Sequence, residues 1–314
     1  MALTFAASPR TQPEVTAQAR GRRGRALRRT ATGWAFAGPA TLLVVGLSIF
    51  PAVWAFFISR TRWNGIAPAR DVGWRNYERL LSDPDMAAAA RHTLVLTALF
   101  VPASILLGIL IAVALNQRIR LIGFYRTCIF VPYVASAAAT GILASFVFNP
   151  QFGAVNEVLR RLGLPAQQFL ESPGQALGVI CVIALWGEVG FTAVIYLAAL
   201  QDIPQELIEA ARMDGAGPWR VFRHVTLPEL RPVTVFTAIW QTITAMQLFD
   251  LIYTTTRGGP LNSTQTVVYY IYELAFQTQR LGYGAAVAYL LFAVTMLLTV
   301  GVIWYNRRSG SGAF

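Results

Sequence analysis

The chain has no lysine and few charged residues of any kind. All 26 basic residues are arginine, and charged residues make up 13% of the 314 positions. A phosphate-binding P-loop needs a lysine at its end, and a Schiff-base enzyme needs a lysine amine. Neither site can form here, so ATP hydrolysis of the P-loop type must come from another polypeptide.

Cysteine and histidine are equally scarce. Cys128 and Cys181 both lie in apolar runs, which favours small buried filler residues over a disulfide framework. His92 and His224 are far apart, and no metal-ligand cluster is visible. The sequence therefore predicts no metal, no cofactor and no catalytic residues.

Apolar residues are abundant and come in long blocks. The chain is 55% hydrophobic with a mean hydropathy of +0.50, whereas soluble proteins carry roughly 25% charged residues. The first block is longer than the apolar core of a signal peptide and has no clear cleavage site, so we predict that it remains as a helix. We predict an all-α membrane protein with six transmembrane helices, since six stretches reach the roughly 20 residues that cross a bilayer: Gly33–Ile58, Thr93–Leu115, Thr127–Phe148, Ala176–Leu200, Val233–Phe249 and Gly284–Tyr305.

The distribution of arginine predicts the orientation. Six spans place both termini on one side, and that side carries 16 arginines, seven of them in the tail of residues 1–32. The other side carries ten, of which six lie in the first outer loop, a poor fit to the positive-inside rule. The arginine-rich tail, and the turn between spans two and three, which contains arginine but no acidic residue, favour cytoplasmic termini. The same rule accounts for the basic tail, so no nucleic-acid partner is predicted.

Two spans carry polar residues that are expensive in lipid. Span four contains a glutamate, and span five is short and rich in threonine and glutamine. Packing between helices is the alternative, and for the threonines it is at least as good. On a straight helix Gln241, Thr244 and Gln247 share a sector of roughly 120°, while Asp250 lies opposite Gln241 and is placed at the outer mouth. Trp186 or Tyr133 would supply an aromatic face. The predicted solute pathway is Glu188, Gln241, Thr244, Gln247, Asp250, Trp186 and Tyr133.

An aromatic segment precedes the last span. Gly258-Gly-Pro260 breaks the preceding helix, and Val267–Phe276 is apolar but too short to cross the membrane. We predict an interfacial or re-entrant helix with its tyrosines at headgroup depth.

The cytoplasmic loop 201–231 is the most informative segment. Residues 202–214 predict a helix with Pro204 in its first turn, Gly215 and Gly217 end it, and Pro218–Val225 starts a second helix that ends before Leu227. Outside the bilayer its apolar side chains have nothing to bury against, which indicates a docking element for a partner: Leu207, Ile208, Ala211, Trp219 and Phe222.

This loop resembles the EAA loop of permeases from binding-protein-dependent ABC importers. The shared pattern is Glu209-Ala-Ala, then Gly215, then Val225-x-Leu227-Pro228, with valine where the family has isoleucine. Further stretches resemble the carbohydrate and glycerol-phosphate branch of that family, and only about residues 1–30 lie outside the resemblance. These stretches are Arg126–Pro132, Phe148–Leu159 and Gly258–Pro260.

The resemblance implies a type I ABC importer permease fold in the plasma (inner) membrane of a prokaryote. Residues 33–308 would form the permease domain, between the tail of residues 1–32 and a short tail of residues 309–314. The helix 206–214 would be the coupling helix, seated in a groove of an ATPase subunit. A second permease subunit and an extracytoplasmic binding protein complete the implied complex, which imports a sugar, polyol or glycerol-phosphate-type solute. The implied coupling residues are Glu209, Ala210, Ala211, Asp214, Gly215, Leu227 and Pro228.

Two other classes remain as alternatives. A secondary transporter would need no ATPase, but such folds carry internal repeats that are not visible here. A membrane-embedded enzyme would need paired carboxylates or metal ligands at membrane depth, where Glu188 stands alone. Copurification with an ATPase separates these classes from the importer.

Overall fold

A computed structural model describes residues 33–117 and 120–308. The predicted arginine-rich tail of residues 1–32 and the terminal residues 309–314 lie outside the described residues. The chain divides into two units between Phe57 and Ile58. The first described helix, α1, spans Gly33–Ser59 with a π turn at Val45–Ile49, and most of its apolar side chains are exposed.

Helices dominate the second unit. A two-stranded antiparallel hairpin, β1 Thr61–Arg62 and β2 Arg70–Asp71, follows α1. The helices are α2 Arg75–Ser82, α3 Pro84–Leu115, α4 Ile122–Val134, α5 Ala137–Val147, α6 Ala154–Arg161, α7 Ala176–Asp202, α8 Gln205–Met213, α9 Pro218–Val221, α10 Leu227–Glu229, α11 Arg231–Met246, α12 Asp250–Thr254, α13 Val267–Tyr272 and α14 Leu281–Arg308. A 3₁₀ turn lies at Phe169–Glu171, and π turns lie at Phe222–Thr226 and Glu273–Gln277.

Among the described residues, five helical segments are long and apolar enough to cross a membrane. They are α1, α3, α7, α14 and the segment Arg231–Thr254, which contains α11 and α12. A sixth crossing exists if α4 and α5, which meet at a bend of 97°, count as one span. The predicted all-α fold with six membrane segments is confirmed in this form.

The third span is not the single helix that was predicted for Thr127–Phe148. It breaks after Val134, where Ala135 and Ser136 have extended backbones with ψ values of 144° and 128°. Pro132 lies just before the break and lacks the N–H that would continue the helical hydrogen bonds. Neither half crosses a membrane alone, and hydropathy, which ignores direction, could not show the turn.

Several predicted boundaries were also wrong. The helix predicted from Thr93 begins at Pro84, because Asp83 caps it by accepting from the backbone N–H groups of Asp85 and Met86. Span five breaks at residues 247–249 and resumes as α12, so a straight helical wheel does not apply to Asp250. The second loop helix does not end before Leu227, since helical turns continue through α10 almost directly into α11.

The core of the second unit is built around α3, which packs against α7 and α11. Gly190 lets α4 approach α7, since a Cβ there would clash with the carbonyl oxygen of Ile129. Cys181 is buried in this core as predicted, whereas Cys128 is exposed, so its prediction as a buried filler was wrong. The face of α4 that carries Cys128 is not covered by the described part of this chain.

The aromatic segment before the last span packs into protein. Tyr269 is buried with the α3 cluster and Tyr270 with the α14 cluster, while the depth of these tyrosines in the membrane stays a prediction. The hydroxyl groups of Tyr270 and Tyr283 both donate to the Asp83 carboxylate. Asp83 thus joins the starts of α3 and α14 to α13.

Candidate functional site

The loop between α7 and α11 holds a short helix, α8, at the end of the bundle. Pro204 stands at its N-cap position, and Asp202, which was expected inside this helix, belongs to the end of α7 instead. Ile203 is buried among the last residues of α3 and α7. The direction of α8 is therefore set by a buried residue and a proline at its start.

The end of α8 is a complete Schellman motif. The N–H of Gly215 donates to the carbonyl of Arg212, and the N–H of Ala216 donates to the carbonyl of Ala211, both near 3 Å. Gly215 has a φ of +78°, a conformation that side-chain-bearing residues rarely adopt. The turn that redirects the chain from α8 to α9 therefore depends on glycine at this position.

The two faces of α8 differ in burial. Ile208, with Phe222 of the following π turn, packs against the buried cluster at the end of α3 and α7 that adjoins this loop. The expectation that these two side chains have nothing to bury against was wrong. Leu207 is 44% exposed, Met213 88% and Trp219 69%. These three side chains and Leu227, which is 40% exposed, are the large apolar side chains that the loop exposes.

The predicted coupling residues fall into two groups. Glu209, Ala210 and Asp214 are exposed on or just after α8, while Ala211 is half-buried and Gly215 makes the turn. Leu227 and Pro228 lie in α10, at the base of the loop, and line a cavity of about 670 Å³ together with Trp219 and Phe222. The motif thus contributes residues to the exposed helix α8 and to the base of the loop that holds this helix.

Within the membrane segments, a cavity of about 150 Å³ lies at the bend between α4 and α5. Glu188 of α7, Tyr133 of α4 and Thr244 of α11 line it, so the structure brings together three of the seven predicted pathway residues. Glu188 Oε2 is buried and has no hydrogen-bond partner among the described residues. A buried carboxylate oxygen without a partner is costly, which indicates a group that a ligand or water satisfies.

The other four predicted pathway residues do not line this cavity, although the Gln241 side chain lies within hydrogen-bonding reach of Glu188. Gln241 is fully buried and its Nε2 donates to Thr192 Oγ1 at 2.6 Å, the packing arrangement that was its alternative. Gln247 and Asp250 are exposed at the break between α11 and α12, where Leu248 and Leu251 face the cavity instead. Trp186 lines a separate apolar cavity.

A row of aromatic rings beside the cavity was missed. Tyr133 stacks on Phe191 with ring centroids 4.8 Å apart, and Phe191 contacts Trp240 at 5.6 Å. Trp240 in turn stacks with Phe236, and both are more than two-fifths exposed. Phe191 lies three residues after Glu188 and Trp240 four before Thr244, so helical spacing from the polar residues could have found them.

The described residues contain no group of three histidine, cysteine, aspartate or glutamate side chains placed to hold a metal ion. The structure has the exposed helix α8 at one end of the bundle and a small cavity with polar and aromatic side chains at the α4–α5 bend. This arrangement suits the binding of a partner at α8 and of a ligand in the cavity.

Comparison with known proteins gives a consistent result. Residues 104–309 match the family described as binding-protein-dependent transport system inner membrane component. The sulfoquinovosyl glycerol transport system permease protein of Agrobacterium fabrum is 35% identical over 264 residues, covering 83% of this chain and 85% of that protein. The multiple sugar-binding transport system permease protein of Streptococcus mutans is 35% identical over 277 residues, covering 88% and 95%.

Among solved structures, the fold resembles a chain of a bacterial ABC transporter involved in the import of the acidic polysaccharide alginate. The TM-score is 0.80 at 22% identity, covering 91% of this chain and 99% of the other. At that identity the likeness concerns the fold alone, and it agrees with the predicted importer permease fold.

Proposed function

The chain belongs to the family of binding-protein-dependent transport system inner membrane components, and from that premise we propose that it moves a sugar, polyol or glycerol-phosphate-type solute into the cytoplasm. It is a multi-pass inner-membrane protein and a non-catalytic component of an ABC importer. The solute class rests on two relatives that are named as permease proteins of a sulfoquinovosyl glycerol transport system and of a multiple sugar-binding transport system.

The observation that carries the coupling role is the loop between α7 and α11. Its inner side chains fix it to the bundle, and its outer face presents Leu207, Met213 and Trp219 with Glu209 exposed among them. Exposed apolar side chains on a loop that is anchored to the bundle suit a complementary groove in another protein. The proposed partner is an ATPase subunit, and the proposed coupling residues are those of the motif from Glu209 to Pro228.

A second permease subunit and an extracytoplasmic binding protein complete the proposed assembly. One chain offers one coupling helix, whereas two ATPase subunits need two. The exposed apolar surfaces of α4 and α5, including Val131 and Phe146, also need cover from lipid or protein. A different permease partner is the arrangement that we favour, with both termini of this chain in the cytoplasm and residues 33–308 as its permease domain.

The solute pathway is proposed at the cavity beside the α4–α5 bend. Glu188 would accept hydrogen bonds from solute hydroxyl groups, and Tyr133 and Phe191 offer ring faces near it. Gln247 and Asp250, exposed at the break in span five, would meet the solute only outside this cavity.

Reconstituted vesicles test the proposal. The assembled complex with its binding protein should take up radiolabelled solute only when ATP is supplied on the ATPase side. Glu209→Lys should abolish uptake while the protein still inserts, because it reverses a charge on the docking face of α8. Glu171→Lys, an equal change at an exposed outer turn, is the matched control. Full uptake by Glu209→Lys, or uptake without ATP, would refute the proposed role.

A further inference from the structure

Five arginines surround one cleft of about 620 Å³ in the second unit, between the β1–β2 hairpin and the start of α14. All five side chains belong to exposed residues. We call this the basic cleft and define it by Arg62, Arg70, Arg75, Arg79 and Arg280.

The frame of the basic cleft is held by local hydrogen bonds. The Asn76 side-chain nitrogen donates to the carbonyls of Ser59 and Thr61 at 2.8 and 2.9 Å, which ties α2 to the hairpin. The N–H of Gly282 donates to the carbonyl of Trp63, which ties α14 to the same hairpin. The arginines therefore stand on a backbone whose position is fixed before any partner arrives.

The charges of the basic cleft are not neutralised within the described chain. No acidic residue lines the cleft, and the ion pairs found among the described residues both involve Glu157 on α6. The nearby carboxylates of Asp71 and Asp83 accept hydrogen bonds from the Gly73 N–H and from tyrosine hydroxyls respectively. These carboxylates form no ion pair with the five arginines, whose like charges repel one another, and this points to an anionic occupant.

The basic cleft lies at the opposite end of α3 from the loop of residues 201–231, which we call the coupling loop after its proposed role. Asp83 and the start of α3 adjoin α14 at the cleft end, while Leu115 at the other end packs with Leu200, Ile203 and Leu230. The 32 residues of α3 span about 48 Å at 1.5 Å per residue. If the loop contacts a cytoplasmic ATPase, the basic cleft opens on the extracytoplasmic side.

We propose that the basic cleft is a docking surface for an acidic patch on the solute-loaded binding protein. A small-molecule pocket is mostly apolar with a few placed polar groups, whereas this cleft is lined by exposed charges. Exposed arginines spread over a rigid frame suit a partner with several carboxylates, where they speed encounter and set orientation. This docking role rests on the proposed function, since it presumes an importer served by such a protein.

The test uses the assembled complex in nanodiscs of phosphatidylcholine. ATPase activity is titrated with the solute-loaded binding protein that supports uptake in the vesicle assay, at 50 and 300 mM NaCl. Two double variants, Arg70→Gln/Arg75→Gln and Arg62→Gln/Arg280→Gln, each remove two of the five positive charges and leave Arg79 on the Tyr283 ring. Arg160→Gln is the matched control, because Arg160 already pairs with Glu157 at 2.9 Å.

Each double variant should raise the half-saturating concentration of binding protein about tenfold at low salt, with unchanged maximal rate. The wild-type value should rise with salt, and this dependence should be weaker in each variant. Poly-L-glutamate should compete with the binding protein on the wild type and lose that effect on the variants.

Unchanged half-saturation and salt dependence in both variants would overturn the docking role. A variant defect that appears only in nanodiscs containing phosphatidylglycerol would assign the basic cleft to lipid headgroups and would likewise overturn it. If no binding protein stimulates even the wild type, the proposed function itself fails, which is a distinguishable result.

Discussion

Replacing Asp83 with asparagine removes one charge and keeps the size of the side chain. Asp83 Oδ1 caps α3 through the N–H groups of Asp85 and Met86, at 3.0 and 3.4 Å. Its Oδ2 accepts from the hydroxyls of Tyr270, at 2.9 Å, and Tyr283. Asparagine caps helices as well as aspartate does, so the capping contribution should survive. The two tyrosines lose a charged acceptor.

The magnitude follows from those two hydrogen bonds. A hydrogen bond to a charged group contributes about 1.5–3 kcal/mol and a neutral one about 0.5–1.5 kcal/mol, so each tyrosine loses about 1 kcal/mol. Because Asp83 is only half-buried, we expect about 1–2 kcal/mol in total. At about 2–4 °C per kcal/mol, the melting temperature should fall by about 2–8 °C. Thermal unfolding of the detergent-purified protein measures this, with Asp85→Asn, an exposed neighbour, as control.

The stabilisation that the Asp83 carboxylate contributes depends on pH, and the direction of this dependence follows from the pKa of Asp83. Burial raises the pKa of the Asp83 carboxyl, but hydrogen bonds from Tyr283 and Tyr270 and from the N–H groups of Met86 and Asp85 outweigh it, so the pKa lies below its ordinary value of 3.8. Stabilisation by the charge is therefore complete above the ordinary pKa and is lost as the pH falls through the lowered one. Wild type and Asp83→Asn should differ equally at pH 5 and pH 8, and should converge as the pH falls from 3.8 through the lowered pKa of Asp83. Equal melting of Asp83→Asn and Asp85→Asn at pH 7 would refute the reasoning.

Three further predictions concern function and orientation. Met213→Glu should leave the melting temperature unchanged, because Met213 is 88% exposed. It should raise the ATPase concentration for half-maximal assembly at least about tenfold, since burying methionine contributes about 1.5–3 kcal/mol. Assembly at the wild-type concentration would contradict this. Glu188→Ala should raise the solute concentration for half-maximal uptake about 5- to 150-fold, for a loss of 1–3 kcal/mol, while Glu171→Ala should not; equal uptake kinetics would assign Glu188 to packing. In a variant with the exposed Cys128 replaced by serine, a cysteine at Ser82 should react with an impermeant reagent in intact cells and one at Gly217 only after permeabilisation; the reverse pattern would invert the orientation.

The local features of the coupling loop could be predicted because each has a cause within a few residues. Pro204 at the start of α8 and glycine at position 215 are helix start and stop signals that can be read directly from the sequence. The start of α3 was also present in the sequence, as Asp83 followed by Pro84, but hydropathy outweighed it and the predicted start came nine residues late. Capping residues deserve more weight than hydropathy when a helix end is assigned.

The contacts of the cavity and of Asp83 at the start of α3 could not be predicted, because they join distant parts of the chain. Asp83 meets Tyr270 and Tyr283 across 187 and 200 residues. The direction of the α4–α5 bend decides that Tyr133 faces Glu188 while Trp186 faces another cavity. Single-sequence patterns report which residues are polar and on which helix, but the direction of a bend depends on packing.

The hydrogen bonds between the helices suggest which parts move together when the coupling loop is displaced. α8 lies on the chain between α7 and α11, and Gln241 of α11 bonds to Thr192 of α7, which lies 3.1 Å from Ser104 of α3. In a membrane such bonds each contribute about 0.6 kcal/mol or more and add to close packing. We therefore expect a displacement of α8 to move α3, α7 and α11 as one body. The cavity lies between that body and the bent pair α4–α5, so its shape should change by movement at the bend, where Ala135 and Ser136 already leave the helical conformation.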